Sequence, residues 1–247
     1  MKLKYFDLGL VDPEFIPSIW EYSNLIIPEC PTLFSYTPNA TAIKICGAER
    51  MDKKIKVENV PGHVKMIRMV SSAETSFIVS PDLMGFMFHY PDTDEYASLV
   101  RAIKAIVYKS LRPYSILLEE DGNDIYFLKD GLRKKFFGTM NDATSDGWRV
   151  AIFTITLSFN AELSNKIYKF EDEKFTEKGE ILDISEIVGG LSEIVLIDRN
   201  AVTKEIIQKI AERYDLEAGK GSLSDDELSK MNDFASKYND KEWVLNG

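Results

Sequence analysis

One long amphipathic helix placed between two blocks of short alternating runs constrains this chain more than any other feature. Over Thr93 to Ser110 the apolar residues Tyr96, Leu99, Val100, Ile103 and Val107 recur at i, i+3, i+4 and i+7, the spacing that puts them on one face of a helix. Such a stripe has to bury itself against something broad. Before it, the runs Leu3 to Leu10, Pro31 to Cys46, Lys65 to Val70 and Ser76 to Val79 alternate as half-buried strands do. After it come Ser115 to Leu118, Asp124 to Leu128, Lys135 to Met140 and Arg149 to Phe159, separated by turn clusters such as Glu120-Asp121-Gly122-Asn123, which predicts an antiparallel meander. The ends supply the remaining helices. Asp12-Pro13 predicts an N-cap followed by a short helix with Ile16, Ile19 and Trp20 on one face. Helices are also expected at Ser185 to Val188, Thr203 to Tyr214 and Ser224 to Tyr238, the last opened by a capping box of Ser224 and Glu227. Grouped strands with inserted and appended helices define an α+β fold, with mixed or antiparallel sheets and packed helices. No repeat, low-complexity segment or linker divides the chain, so residues 1–247 are expected to form one domain.

Composition narrows the function classes. The chain has 45% hydrophobic residues in 247, enough for one ordinary core, and a formal net charge of −10, which opposes a phosphate backbone as the main partner. No run reaches the roughly 18 apolar residues that span a membrane, and Asp7 and Asp12 interrupt any signal-like segment. Cys30 and Cys46 form neither a disulfide framework nor a C-x-x-C pair, which places the protein in a reducing compartment, the cytoplasm. His63 and His89 have no ligand spacing, and no metal site is expected. The phosphate-binding loops with G-x-x-x-x-G-K-[ST] or G-x-G-x-x-G and the G-x-S-x-G elbow are absent, and Gly189-Gly190 has the look of an interhelix turn. One basic cluster stands out: Arg133-Lys134-Lys135 opens a strand that runs into Gly138-Thr139. It reads either as a solvated hairpin tip or as a clamp for a phosphate or carboxylate.

These pieces fall in the order found in a known family. Gly122-Asn123-Asp124-Ile125 is similar to G-R-N-D-[LI], and Arg133 to Gly138 is similar to G-R-K-I-S-G. Phe34 to Cys46, with Pro38, matches a strand of pattern W-x-N-P-x-A-V-x-x-G, and Thr154 matches the threonine of an H-G-T strand whose first two residues are here Ile152 and Phe153. Leu223 to Glu227, followed by Lys237 to Trp243, matches an L-x-x-E…K-Y-x-S-x-E-W close. On these motifs the chain, from about Asp12 onward, resembles the catalytic domain of the lipoate-protein ligases, in the superfamily that also holds the biotin ligases and octanoyltransferases.

The resemblance implies a biotin/lipoate-ligase-like catalytic domain that activates lipoate or a related acid with ATP and Mg2+ as an acyl-adenylate. The acyl group then passes to a lysine of a lipoyl carrier domain. It makes Lys135 the catalytic lysine and places Asp124, Gly138, Thr139, Asn141 and Thr154 around substrate and nucleotide. Arg68, Ser71, Ser72, Ala73 and Glu74 fall on the family's R-R-x-S-G-G-G-x-V-x-H-D stretch, where Ser72-Ala73-Glu74 stand for three glycines and Ile78-Val79 for His-Asp. Glycines there let backbone amides approach a phosphate, and a carboxylate about 4 Å from that phosphate opposes it by about 1 to 4 kcal/mol. Two functional readings follow: an acyl-adenylating ligase, or a non-catalytic homologue acting as a binding or regulatory subunit. An unrelated α+β protein with chance matches is the third reading. No C-terminal accessory domain of the family's kind is expected, and a small accessory-domain protein is an expected partner.

Overall fold

The structure, a computed structural model, describes residues 2–26, 28–47, 51–69, 76–144, 147–169, 176–177, 180–181, 183–236, 238 and 244. The chain begins with β1 (Lys2–Val11), α1 (Ile16–Trp20), α2 (Tyr22–Leu25), β2 (Thr32–Pro38), β3 (Ala42–Ile45) and α3 (Met51–Lys54). Next come β4 (Lys65–Arg68), β5 (Ser76–Val79), β6 (Leu83–Pro91) and α4 (Leu99–Leu111). The meander β7 (Leu118–Asp121), β8 (Asp124–Lys129), β9 (Leu132–Ala143) and β10 (Trp148–Thr156) follows, then α5 (Ala161–Ile167). A two-residue pair, β11 (Thr176–Glu177) and β12 (Glu180–Ile181), precedes α6 (Ile184–Ile187), α7 (Arg199–Arg213), β13 (Glu217–Lys220) and α8 (Asp225–Ser236).

The frame is an eight-stranded sheet in the order β13-β1-β2-β6-β10-β9-β8-β7, parallel across its first three strands and antiparallel from β2 onward. The expected meander is its β10-β9-β8-β7 half. A second sheet of three strands runs β4-β3-β5, with β3 parallel to β4 and antiparallel to β5. The fold is therefore α+β with mixed sheets and packed helices.

Alternation alone gives no strand at Leu83 to Pro91, yet β6 is central, because both of its faces are covered. Met84, Phe86, Phe88 and Tyr90 join the core beneath α4 and α7, while Met87 and His89 face the core beneath α1 and α8. A strand buried on both sides has no polar face and therefore no period-two signal. At Gly85 a Cβ would overlap the Tyr36 ring of the neighbouring β2, so glycine is what lets the two strands pair there.

Both cores follow from the helix stripes. Leu99, Ile103 and Val107 of α4 pack with Val202, Ile206 and Ile210 of α7 on one sheet face. Ile16, Ile19 and Trp20 of α1 pack with Met231 of α8 on the other. A third, smaller cluster joins Ile43 and Ile45 of β3 to Met51 of α3 and Ile167 of α5.

Several boundaries move for local reasons. The stripe expected from Thr93 becomes a 3-10 turn at Asp94–Tyr96 before α4 begins. Asp12 does not cap: its carboxylate accepts from Asn39 Nδ2 at 2.9 Å, and Pro13–Phe15 form a 3-10 turn before α1. Asp198 caps α7 four residues earlier than expected, accepting from the Ala201 amide at 3.1 Å. The capping box forms as read, the Glu227 amide donating to Ser224 Oγ and the Ser224 amide to Glu227 Oε2.

Candidate active site

The site is built on an irregularity in β9. Strands β8 and β9 pair Asp124 with Gly138 and Ile125 with Phe137, but the next pair is Tyr126 with Lys135. Phe136 is the extra residue, and it is buried together with Phe137 in the core under α4. In a regular strand Lys135 and Phe137 would share a face. The bulge turns Lys135 to the opposite one, beside Asp124, Tyr126 and Gly138.

That face forms the floor of a cleft of about 950 Å³. Met140 of β9 with Ile152 and Thr154 of β10 continue the floor, and Phe77 and Ile78 of β5, the edge of the small sheet, form the facing wall. Lys135 Nζ lies 2.9 Å from Asp124 Oδ2, with side chains 39% and 27% exposed. The pair is half-open to solvent and positioned to meet an incoming anion. A Cβ at Gly138 would sit 3.5 Å from Asp124 Oδ1 and 3.5 Å from Lys135 Cε, so this glycine leaves an ordinary van der Waals gap beside the pair.

The bulge is itself held from outside. The carbonyl of Lys135 accepts from the Gly189 amide at 2.9 Å, and Val188 bridges to Lys135 in parallel. Gly189-Gly190, expected as a simple interhelix turn, thus docks the chain onto β9. A Cβ at Gly189 would meet Glu193 Oε1 at 2.5 Å and Phe127 Cζ at 2.7 Å, and one at Gly190 would meet the Leu157 carbonyl at 2.5 Å. Both positions require glycine because of close approach.

The basic cluster separates into distinct roles. Lys134 Nζ is 2.7 Å from Glu193 Oε2, and Arg133 stacks on Tyr126 while pairing with Glu119 and Asp121. Burial raises the Glu193 carboxyl, but Lys134, the Gly190 amide and Lys129 outweigh it and hold the carboxyl below its usual value. The Tyr126 phenol is pushed up by burial and then by the Asp124 carboxylate. Of the three cations only Lys135 borders the cleft.

The remaining expected site residues divide. Thr154, paired with Gly138, faces the cleft. Thr139 borders it, but its register partner is core-facing Phe153, and its buried hydroxyl makes no hydrogen bond. Asn141 lies outside the cleft, where its Oδ1 accepts from Tyr90 Oη at 2.7 Å and Arg149 Nε at 3.4 Å. Arg68 is buried away from the cleft, donating through Nε to the Val244 carbonyl and through Nη1 to that of Gly47. Ser71, Ser72, Ala73 and Glu74 lie outside the described residues, as do Lys237 and Asn239 to Trp243. Tyr126, which the motifs do not mark, could have been found from its i+2 spacing to Asp124 on one strand.

Of the two histidines, His63 is exposed and His89 is buried, its ring nitrogens 3.0 Å from Ser23 Oγ and 2.8 Å from the Ile19 carbonyl. Among the described residues no cluster of three or more His, Cys, Asp or Glu is placed to hold a metal, and no helix is long and apolar enough to cross a membrane.

The architecture is that of the lipoate-protein ligase fold. Over 99% of this chain and 96% of the other, it superposes with TM-score 0.79 and 17% identity on a bipartite lipoate protein ligase from Thermoplasma acidophilum, studied with its E2 lipoyl domain. Lipoate-protein ligase A bound with ATP is similar at TM-score 0.77 and 14% identity, over 99% of each chain. LipL1 of P. falciparum in complex with lipoate is similar at 0.73 and 12%, over 99% of this chain and 74% of that one. No protein-family model matches the sequence, and no curated protein is similar to it at the level of sequence.

Proposed function

We propose that this chain is a ligase of the lipoate-protein ligase type, acting over residues 1–247 as one catalytic domain in the cytoplasm. It activates lipoate or a related carboxylic acid with ATP and transfers the acyl group to a lysine of a lipoyl carrier domain. The observation that carries this reading is Lys135, turned by the β9 bulge into the cleft and held by Asp124.

The chemistry suits that placement. ATP is a substrate here: a carboxylate oxygen attacks the α-phosphorus, pyrophosphate leaves, and the carrier lysine's amine then attacks the acyl carbon as AMP departs. Negative charge accumulates between the two anions in the first step, and an ammonium between carboxylate and α-phosphate stabilises the transition state more than the separated substrates. Before substrate binds, Asp124 holds Lys135 in place. Asp124 also offers the hard oxygen donor that Mg2+ takes, and the metal would neutralise phosphate charge there. Thr154 and Gly138 act within the cleft and Thr139 at its border. Ser71, Ser72, Ala73 and Glu74 are assigned to acyl and nucleotide binding by resemblance. Arg68 and Asn141 would act from outside it by holding their neighbours.

ATP–pyrophosphate exchange tests the reading, with lipoate, octanoate and biotin supplied separately and Lys135→Ala as control. Exchange that depends on one acid and is lost in the variant supports it. No exchange from folded protein that also fails to bind ATP overturns it. That result would leave the non-catalytic reading, which Ser72-Ala73-Glu74 in place of glycines favours. A small accessory-domain protein remains part of the proposal, and full activity of the purified chain alone would remove it.

A further inference from the structure

The centre of β3 carries a lysine in a place built for an apolar side chain. Its neighbours on the strand, Ala42, Ile43 and Ile45, are all fully buried, and Lys44 itself is 1% exposed. Lysines at such positions normally run their stems along apolar surface and bring the amine to water. Lys44 does not reach water, and Nζ makes no hydrogen bond. It lies instead between two aromatic faces, 5.8 Å from the Trp20 ring centroid and 4.9 Å from that of Phe77. Ring faces offset part of the burial of an ammonium, but they leave its three N–H donors unused. A methionine or leucine would fill the same space with no such deficit.

Register ties this amine to the proposed acid site. Lys44 is paired with Phe77 across β3 and β5, so both side chains leave the small sheet on the side of the large one. The Phe77 ring is at once the lid over Nζ and part of the wall of the cleft whose floor carries Lys135. That one ring is common to the enclosure of the amine and to the lining of the cleft.

We infer that Lys44 recognises an oxygen acceptor at the far end of the acid. The site then takes a carboxylic acid that carries a second carboxylate or a carbonyl at its other terminus, in preference to a plain hydrocarbon tail. This inference rests on the acid-activating reading of the cleft. Lys135 meets the carboxylate to be activated, Phe77 swings aside, and Lys44 donates to the distal oxygen that the fold itself does not supply.

Calorimetric titration of the full chain with octanoate, octanedioate and biotin decides the matter, repeated on Lys44→Met. Octanedioate supplies a second carboxylate on the same carbon chain, and biotin supplies a ureido carbonyl. The expected result is at least tenfold tighter binding of octanedioate or biotin than of octanoate, with the ratio falling to near one in Lys44→Met. Whichever of the two binds tighter identifies the acceptor as anionic or neutral. Octanoate binding as tightly as both would overturn the inference and leave the acid site standing. So would a preference that survives in Lys44→Met. Binding of none of the three acids would overturn the inference and leave the ligase reading to the lipoate-dependent exchange assay.

Discussion

Replacing Lys44 with methionine should make the protein more stable at neutral pH. Burial lowers the Lys44 amine from 10.5 to about 8, opposed by a smaller contribution from Cys46. At about 1.4 kcal/mol per pH unit, that depression corresponds to about 3 kcal/mol of destabilisation whenever the unfolded chain would be protonated. The sign follows from proton counts. Between pH 8 and 10.5 the unfolded lysine holds a proton that the folded one has released, so stability rises with pH across this window. Below pH 8 the full penalty persists. Methionine removes it and keeps the stem packed between Trp20 and Phe77, with sulfur–aromatic contacts worth about 0.3 to 1.5 kcal/mol. Loss of the cation–ring attraction, about 0.5 to 2 kcal/mol, offsets part of this gain. The expected net gain at pH 7 is about 1 to 2.5 kcal/mol, or about 2 to 10 °C in Tm for a chain of this size. Urea denaturation of both proteins at pH 7 and pH 10.5, with equal m-values, measures it. The two midpoints should differ at pH 7 and converge at the higher pH. A midpoint for Lys44→Met at or below that of the wild type at pH 7, or a gap that does not close with pH, would refute the reasoning.

Other perturbations probe the site and its supports. Asp124→Asn should lower acid-dependent pyrophosphate exchange about tenfold or more while moving Tm by only a few degrees, since an ion pair as exposed as Lys135–Asp124 is worth about 0 to 1 kcal/mol. A matching loss of stability and activity would make Asp124 merely structural. Gly189→Ala should destabilise by about 1 to 3 kcal/mol and reduce exchange as well, because its Cβ has to displace Glu193 or Phe127 and with them the segment bonded to the Lys135 carbonyl. Burial lowers His89 to about 4, opposed by its bond to the Ile19 carbonyl, so the unfolded chain takes up a proton below about pH 6.5 that the folded chain refuses. Stability should therefore fall as the pH drops from 6.5 toward 4. The wild type should lose about 2 kcal/mol more than His89→Gln between pH 6.5 and 5, and parallel pH profiles would count against it.

The long helix, the meander and the capping box were legible in the sequence because each rests on interactions within one segment or between consecutive ones. The stripe of α4, the turn at Gly122-Asn123 and the reciprocal bonds of Ser224 and Glu227 need no distant partner. Motif order likewise brought Lys135, Asp124, Gly138 and Thr154 together, and the structure sets all four on one cleft. Tertiary structure decided the rest. Strand β6 could not be read from alternation, since helices cover both of its faces and erase the pattern. Strand β13 is exposed and short, and its only reason to extend is the edge that β1 offers it. Alternation from Phe137 would point Lys135 into the core. Only the pairing of β8 with β9, which leaves Phe136 as an extra residue, turns the amine into the cleft. Arg68 and Asn141 stand in the motifs beside their neighbours, but the carbonyls and side chains they reach come from distant parts of the chain and hold them outside. What a residue is made of is fixed locally. Which face it presents, and to what, depends on strand register, and register is set by contacts between segments far apart in sequence.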